Sequence, residues 1–143
     1  MTQVLVVDDD DDIRLLVAEL LRLTGYEVLP ASSGVEALAV LAAGLDPDLV
    51  LLDVQMPEMD GWDTLRGIRA DEDLQDLPVV LCTVKSGPVD TALGWALGCD
   101  GYVVKPFAID ALVSEVETVL ARSIEERLAR REQATIVLRE VSR

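Results

Sequence analysis

Residues 4–11 read VLVVDDDD, an apolar run that passes directly into four aspartates. β-Branched residues dominate the run, which is typical of a buried strand. Carboxylates packed side by side repel one another and are costly to bury unless a cation or hydrogen-bond donors lie close by. The end of this strand is therefore the first candidate for a functional site.

Four further short apolar runs follow the first one, and segments with helical periodicity separate them. The predicted strands are residues 3–7, 27–30, 49–52, 79–82 and 102–104, and the predicted helices are residues 13–24, 34–43, 62–70, 91–97 and a long C-terminal helix that starts at residue 109 and continues beyond 121. Strands that alternate with helices predict an α/β domain with a parallel sheet. Right-handed crossovers would place helices on both faces of that sheet.

The composition narrows the classes of function. The 143 residues contain no histidine, so a histidine general base, a histidine metal ligand and a histidine phosphocarrier are excluded within this sequence. Its apolar runs are all shorter than the roughly 20 residues that span a bilayer, and the N-terminus lacks the pattern of an export signal. We therefore predict a cytoplasmic protein that does not enter the membrane, with Cys82 and Cys99 as free thiols.

Charge divides the chain into two parts. The net charge is -15, but residues 1–121 carry 23 acidic and six basic residues, whereas residues 122–143 carry four acidic and six basic ones. We predict one domain over residues 1–121 and a charged helical extension over residues 122–143. The extension fits a linker to an output domain, a partner-binding helix, a dimer contact or an ordinary solvated helix. The sequence lacks a recognition helix or aromatic platform, so it predicts no direct contact with nucleic acid.

Polar residues follow four of the five predicted strands. Asp8 and Asp9 close the first strand, Asp53 the third, Thr83 the fourth and Lys105 the fifth. The carboxyl ends of parallel strands meet at one edge of a sheet, where ligands bind in doubly wound folds. Each residue alone is explained as a helix cap, a loop residue or a surface charge, but their coincidence at one edge predicts a site.

The chemistry of these five side chains points to phosphoryl transfer. Three clustered carboxylates suit Mg²⁺, which prefers oxygen ligands. A carboxylate can also attack phosphorus and form an aspartyl phosphate. Thr83 can donate a hydrogen bond to a phosphoryl oxygen, and Lys105 can stabilise its negative charge. Asp11 and Asp12 are instead predicted to serve the first turn of the next helix.

These residues resemble the receiver domain of two-component response regulators. The segments that carry the resemblance are VLVVDDD at 4–10, LVLLDVQMPEMDG at 49–61, LCTV at 81–84 and GYVVKPF at 101–107. The resemblance covers about residues 2–121. It implies a flavodoxin-like, doubly wound sheet of five parallel strands in the order 2-1-3-4-5, with five helices and an extended C-terminal helix.

The resemblance also implies a function and a metal site. Asp53 would be phosphorylated by a sensor histidine kinase, a phosphotransfer protein or a small phosphodonor. Asp8 and Asp53 resemble direct Mg²⁺ ligands, Asp9 a direct or water-mediated ligand, and the backbone carbonyl of Gln55 a further ligand. The protein would be a signalling switch that catalyses only its own phosphorylation and slow dephosphorylation.

Two more positions resemble the switch pair of the family. The Thr83 hydroxyl would move toward the phosphoryl group, and the Tyr102 ring would turn inward. This would reshape the face made by the fourth helix, fifth strand and fifth helix, which would bind an output protein, an output domain outside this sequence or a second copy.

Three residues are expected to tune the reaction. Val84 replaces the small residue that the family usually has, and its bulk is expected to slow phosphorylation of Asp53. Gln55 and Lys85 lie two residues beyond Asp53 and Thr83, where they would set the lifetime of the phosphoryl group.

Two other functions fit parts of the sequence. A phosphatase of the haloacid dehalogenase type also uses an aspartate nucleophile and Mg²⁺, but its nucleophile closes the first strand, and Gln55 stands where its second aspartate is expected. A receiver-like scaffold that works without phosphorylation usually lacks one of the five site residues, and this sequence has all of them.

Overall fold

A computed structural model describes residues 1–85 and 87–141, so the last two residues of the predicted extension lie outside the described residues. The strands are β1 (Gln3–Val7), β2 (Glu27–Ala31), β3 (Leu49–Asp53), β4 (Val79–Thr83) and β5 (Gly101–Val104), and the α-helices are α1 (Asp11–Leu23), α2 (Gly34–Ala42), α3 (Gly61–Ala70), α4 (Pro88–Ala96), α5 (Ile109–Ala121) and α6 (Ile124–Val141). A single 3₁₀ turn, Glu72–Leu74, follows α3 in the described chain.

The five strands form one parallel sheet in the order β2-β1-β3-β4-β5, as predicted. Every residue of β3 and β4, the two central strands that carry Asp53 and Thr83, is buried. A fully apolar strand is expected where helices cover both faces of a sheet. The α/β fold class is confirmed.

Alternate residues of each strand face two separate cores. One core packs Leu5, Val50 and Leu81 with residues of α2 and α3 and with Trp95 of α4. The other packs Val4 and its equivalents in β3 and β4 with residues of α1 and α5. This division follows from the two-residue period of strands, and it leaves the carboxyl edge of the sheet open for polar residues.

The start of α1 gives a role to Asp10, for which the sequence predicted none. Asp10 is the N-cap, because its carboxylate accepts the backbone N–H groups of Asp12 and Ile13, each at 3.0 Å. Asp11 and Asp12 occupy the first helical turn, where their charge favours the positive end of the helix dipole. The aspartate run thus divides into site residues, one cap and two first-turn acids.

The C-terminal helix is present, but it is separate from α5. We expected one helix from residue 109 through the extension, whereas α5 ends at Ala121 and Arg122 adopts an extended backbone. Ser123 then starts α6: its hydroxyl accepts the N–H of Glu126 and donates to that residue's carboxylate, a reciprocal cap. The new helix turns back and packs along α4.

Two smaller predictions concern cysteines and membranes. Cys82 and Cys99 are both free and buried. Within the described residues, no helix combines the length and the apolar character that a bilayer crossing demands.

Candidate functional site

The two aspartates that end β1 and β3 form the centre of the site. Asp8 is 6% and Asp53 5% exposed, which is unusual for carboxylates. Neighbouring backbone groups fix Asp8: its Oδ1 accepts the N–H of Asp10 at 3.0 Å, while its carbonyl accepts from Arg14 at 2.8 Å. The parallel register of β1 and β3 brings the two strand ends side by side.

Asp9 joins these two residues in a cluster of three carboxylates. One oxygen from each of Asp8, Asp9 and Asp53 lies within 4.8 Å of the others, and Asp9 faces solvent. Lys105 reaches into the cluster from the end of β5. Its Nζ lies 3.1 Å from Asp53 Oδ1 and 3.6 Å from Asp8 Oδ2. The predicted convergence of the three carboxylates and the lysine is therefore present.

Burial and charge set the protonation behaviour of the site. Burial raises the pKa of the Asp53 carboxyl, and the charge of Asp8 adds to this rise, although Lys105 and the Gln55 amide oppose it. For Lys105, burial acts to lower the pKa, but the carboxylates of Asp53 and Asp8 outweigh it and the pKa is raised. Lys105 is thus held as a cation, while the carboxylates carry more negative charge than it neutralises.

The donor set fits a hard divalent cation. Three carboxylates against one ammonium leave an excess of two negative charges within a few ångströms. Oxygen donors of this kind suit Mg²⁺ or Ca²⁺, and the exposed side of Asp9 leaves room for water ligands. The Gln55 side chain is exposed, and the role of its backbone carbonyl as a ligand remains a prediction.

A chain of two hydrogen bonds links Thr83 to Tyr102. Thr83 ends β4, is fully buried, and accepts the N–H of Lys85 on its Oγ1 at 3.1 Å. The Lys85 carbonyl in turn accepts from the Tyr102 hydroxyl at 2.7 Å. Burial raises the pKa of the Tyr102 phenol to about 12, with smaller contributions from Asp90 and Cys99. The two predicted switch residues are therefore linked through one loop residue.

Val84, the first residue after β4, lines a groove that Lys105 also lines. Its side chain is 53% exposed and lines an apolar groove of about 490 Å³ together with Leu16 of α1 and Phe107. Lys105 and Pro106 also line this groove, so it opens beside the carboxylate cluster. The expected effect of Val84 on the phosphorylation of Asp53 stays a prediction.

One charged cluster was missed in the sequence. Asp100 is fully buried just before β5 and is surrounded by Arg69, Arg127 and Arg131. Arg69 and Arg131 each lie 31 residues away from Asp100. Residues so far apart form no local sequence pattern, so the sequence does not predict that they contact one another.

Comparison with known proteins identifies a family. A family profile described as "Response regulator receiver domain" matches residues 4–117. The transcriptional regulatory protein CpxR of Klebsiella pneumoniae is 41% identical over 123 residues, which cover 86% of this chain and 51% of that protein. The DNA-binding dual master transcriptional regulator RpaA of Synechocystis is 36% identical over the same shares of the two chains. The chain thus spans about half the length of these relatives.

Solved structures show the same fold. The chemotaxis protein CheY4 of Vibrio cholerae superposes with a TM-score of 0.78 at 35% identity, covering 83% of this chain and 98% of its own. The response regulator TrrA of Thermotoga maritima, solved in complex with Mg²⁺ and BeF, gives a TM-score of 0.73 at 38% identity over 83% of this chain and 99% of its own.

Proposed function

The chain belongs to the response regulator receiver family, and on this basis we propose that it is a signalling switch that accepts a phosphoryl group on Asp53. The observation that carries the proposal is the environment of Asp53. Its carboxylate is buried at the end of β3, pairs with Lys105 at 3.1 Å, and lies within 4.8 Å of two further carboxylates. This arrangement supports a metal site, a nucleophile and a cation close to one another.

The proposed reaction moves a phosphoryl group from a donor to the Asp53 carboxylate. An Asp53 oxygen attacks the phosphorus of a phosphohistidine or a small phosphodonor, and the bond from phosphorus to the donor breaks as the new oxygen–phosphorus bond forms. The donor departs with the electron pair of the broken bond. The Lys105 ammonium is placed to interact with a phosphoryl oxygen, because it already contacts the Asp53 carboxylate.

Asp8, Asp9 and Asp53 would hold Mg²⁺, with the Gln55 carbonyl as a further proposed ligand. When bound, Mg²⁺ supplies positive charge that offsets both the carboxylates and the phosphoryl oxygens. Asp8 is held for this task by the Asp10 N–H, which leaves its Oδ2 directed toward Lys105. Asp9 faces solvent, so it would bind the ion either directly or through a water molecule.

Phosphorylation would then be read out by Thr83 and Tyr102. Movement of the Thr83 hydroxyl toward a phosphoryl oxygen, to which it would donate, would stretch the bond that its Oγ1 now accepts from Lys85. Lys85 also holds the Tyr102 hydroxyl, so the ring would be freed to move. Such a local change biases a two-state element, and the face of α4, β5 and α5 is the proposed output surface.

Partners follow from the same proposal. A sensor histidine kinase or phosphotransfer protein would donate the phosphoryl group, and an output protein or output domain would read it. Two relatives are transcriptional regulators about twice as long as the matched region, which supports an output domain outside this sequence. The receiver unit is proposed to be residues 1–121, and the tuning roles of Gln55, Val84 and Lys85 and the cytoplasmic location remain predictions.

Beryllofluoride imitates a phosphoryl group on aspartate. It therefore tests whether the protein is a phosphorylation-dependent switch or a scaffold that works without phosphorylation. We expect Mg²⁺ and beryllofluoride together to shift the amide resonances of Lys85 and Tyr102 in nuclear magnetic resonance spectra, and Asp53→Asn to abolish the shifts. Asp46→Asn, on the exposed loop before β3, is the matched control and should respond as the parent does. An unchanged parent spectrum would contradict the proposed function and favour the scaffold.

A further inference from the structure

Helix α6 covers α4, which forms part of the proposed output surface. The helix packs along α4, and its least exposed described side chains lie on one face: Arg127, Arg131, Ala134, Thr135 and Leu138. Their spacing of three and four residues is that of a single helical stripe. On the other side of the contact, residues 90–97 of α4 and its C-cap are all half-buried or buried. A partner that binds this side of α4 must displace α6.

Asp100 anchors this contact. Arg131 of α6 donates from Nε to Oδ1 and from Nη2 to Oδ2 of Asp100, each at 2.9 Å, which is a bidentate pair. Arg127, one turn earlier, lies 3.6 Å from Oδ2. Arg131 also donates to the carbonyl of Gln75 at 2.9 Å. The tail therefore inserts two arginines into a buried acidic position.

Asp100 does not depend on α6 alone for its hydrogen bonds and ion pairs. Asp100 has a second set of partners within the receiver body: Arg69 of α3 donates to Oδ2 at 3.0 Å, and the Val79 N–H donates to the same oxygen at 3.0 Å. Breaking a buried pair is strongly unfavourable when it leaves a charge uncompensated. Here Asp100 keeps a cation and a backbone donor after α6 departs, while the two released arginines regain water. Loss of α6 would therefore cost less than it would at a buried carboxylate with no other partner.

The underside of α4 touches the switch residue. A Cβ added at Gly94 would lie 3.1 Å from Cε2 of Tyr102, so the phenol ring packs directly on the backbone of α4. Tyr102 is held by the Lys85 carbonyl, and Lys85 by Thr83. A rotation of the ring would change the surface on which α4 rests. Helix α4 is thus enclosed between the switch on one side and α6 on the other.

We propose that α6 is an intramolecular cap on α4 that the aspartyl phosphate switch releases. In the unmodified protein α6 binds α4 and Asp100 and blocks this part of the output surface. Movement of Thr83, Lys85 and Tyr102 shifts α4 and weakens the contact with α6. The released helix and the exposed face of α4 are then both free for a partner. This inference rests on the proposed function, because the trigger is the modification of Asp53.

Hydrogen–deuterium exchange of the full chain tests the proposal. Peptides from α6 and from the loop around Lys85 are compared with Mg²⁺ alone and with Mg²⁺ plus beryllofluoride. We expect beryllofluoride to raise the exchange rate of α6 amides about tenfold, within the usual range of allosteric coupling. Arg131→Gln should raise α6 exchange without beryllofluoride. Arg139→Gln, the same change at an exposed position of the same helix, should leave it unaltered.

The outcomes separate the two claims. If the loop around Lys85 responds to beryllofluoride and α6 does not, the cap is wrong and the proposed function stands. If neither responds, both are wrong. Peptides from α1, on the opposite face of the sheet, report global unfolding, and an equal rise in α1 and α6 would overturn the local release. Equal effects of Arg131→Gln and Arg139→Gln would overturn the role of Asp100 as the anchor.

Discussion

Replacing Asp8 with asparagine is expected to weaken Mg²⁺ binding about 100-fold, an estimate that follows from the charge removed beside the ion. Asparagine keeps an oxygen of the same shape, so the change removes charge and not volume. Two unit charges 4 Å apart interact by about 1 kcal/mol in water and about 4 kcal/mol at an effective dielectric constant of 20, and a divalent ion doubles both values. Asp8 is only 6% exposed, which favours an intermediate value near 3 kcal/mol.

Asp9 and Asp11 provide graded comparisons. Asp9 is exposed, so Asp9→Asn should cost about 1–2 kcal/mol, or roughly tenfold in Kd, because water screens the lost charge. Asp11 lies in the first turn of α1, its side chain is 87% exposed and pairs with Arg14, and it is not one of the three clustered carboxylates. Asp11→Asn removes the same net charge from the protein and should leave the affinity within about twofold of the parent.

Calorimetric titration with magnesium chloride at constant ionic strength measures the Kd of Mg²⁺ for the parent and for the three variants Asp8→Asn, Asp9→Asn and Asp11→Asn. Urea unfolding of each variant without Mg²⁺ verifies that the fold is intact. The expected order of affinity is parent and Asp11→Asn first, then Asp9→Asn, then Asp8→Asn. Equal losses for Asp8→Asn and Asp11→Asn would show that only net charge matters, and would refute the assignment of a built site.

Two other substitutions test how easily a phosphodonor reaches Asp53 and how closely the start of α3 packs against the end of β3. Val84→Ala should speed the uptake of phosphoryl groups from acetyl phosphate, because the half-exposed Val84 side chain lines the same groove as Lys105, which contacts Asp53. Quenched-flow rates equal to those of the parent would contradict this prediction. Gly61→Ala should lower the free energy of unfolding by about 1–3 kcal/mol, because the added Cβ would lie 2.5 Å from the carbonyl oxygen of Asp53, which cannot move freely. Gly87→Ala is its control, since among the described residues a Cβ there would meet the Asp90 carboxylate at 3.6 Å, an ordinary van der Waals distance. Equal urea midpoints for the two variants would contradict the argument.

The sheet and the site were predictable because both depend on local patterns. Buried parallel strands appear as short apolar runs, and their carboxyl ends must meet at one edge. Asp53 and Lys105 could therefore be placed together although 52 residues separate them. The strand order came from the resemblance, since alternation alone does not fix which strands are neighbours.

The C-terminal region was less predictable, for physical reasons. Apolar residues recur every four positions from α5 into α6, so periodicity alone favours one continuous helix. The break depends on the extended backbone at Arg122 and on the cap made by Ser123 and Glu126, which compete with continuation of the helix. Helix α6 is held against the domain by the ion pairs of Arg127 and Arg131 with Asp100. These residues are far apart in the sequence, so the sequence does not predict where α6 packs.

We propose that Asp53 accepts a phosphoryl group in a reaction that needs a divalent cation. Intact mass spectrometry after incubation with acetyl phosphate and Mg²⁺ tests it most directly, with fragmentation to locate the modified residue. We predict the mass gain of one phosphoryl group, located on the peptide that contains Asp53 and lost when the metal is chelated before the donor is added. A modification on another residue, or one of equal extent in Asp53→Asn or without metal, would contradict the account.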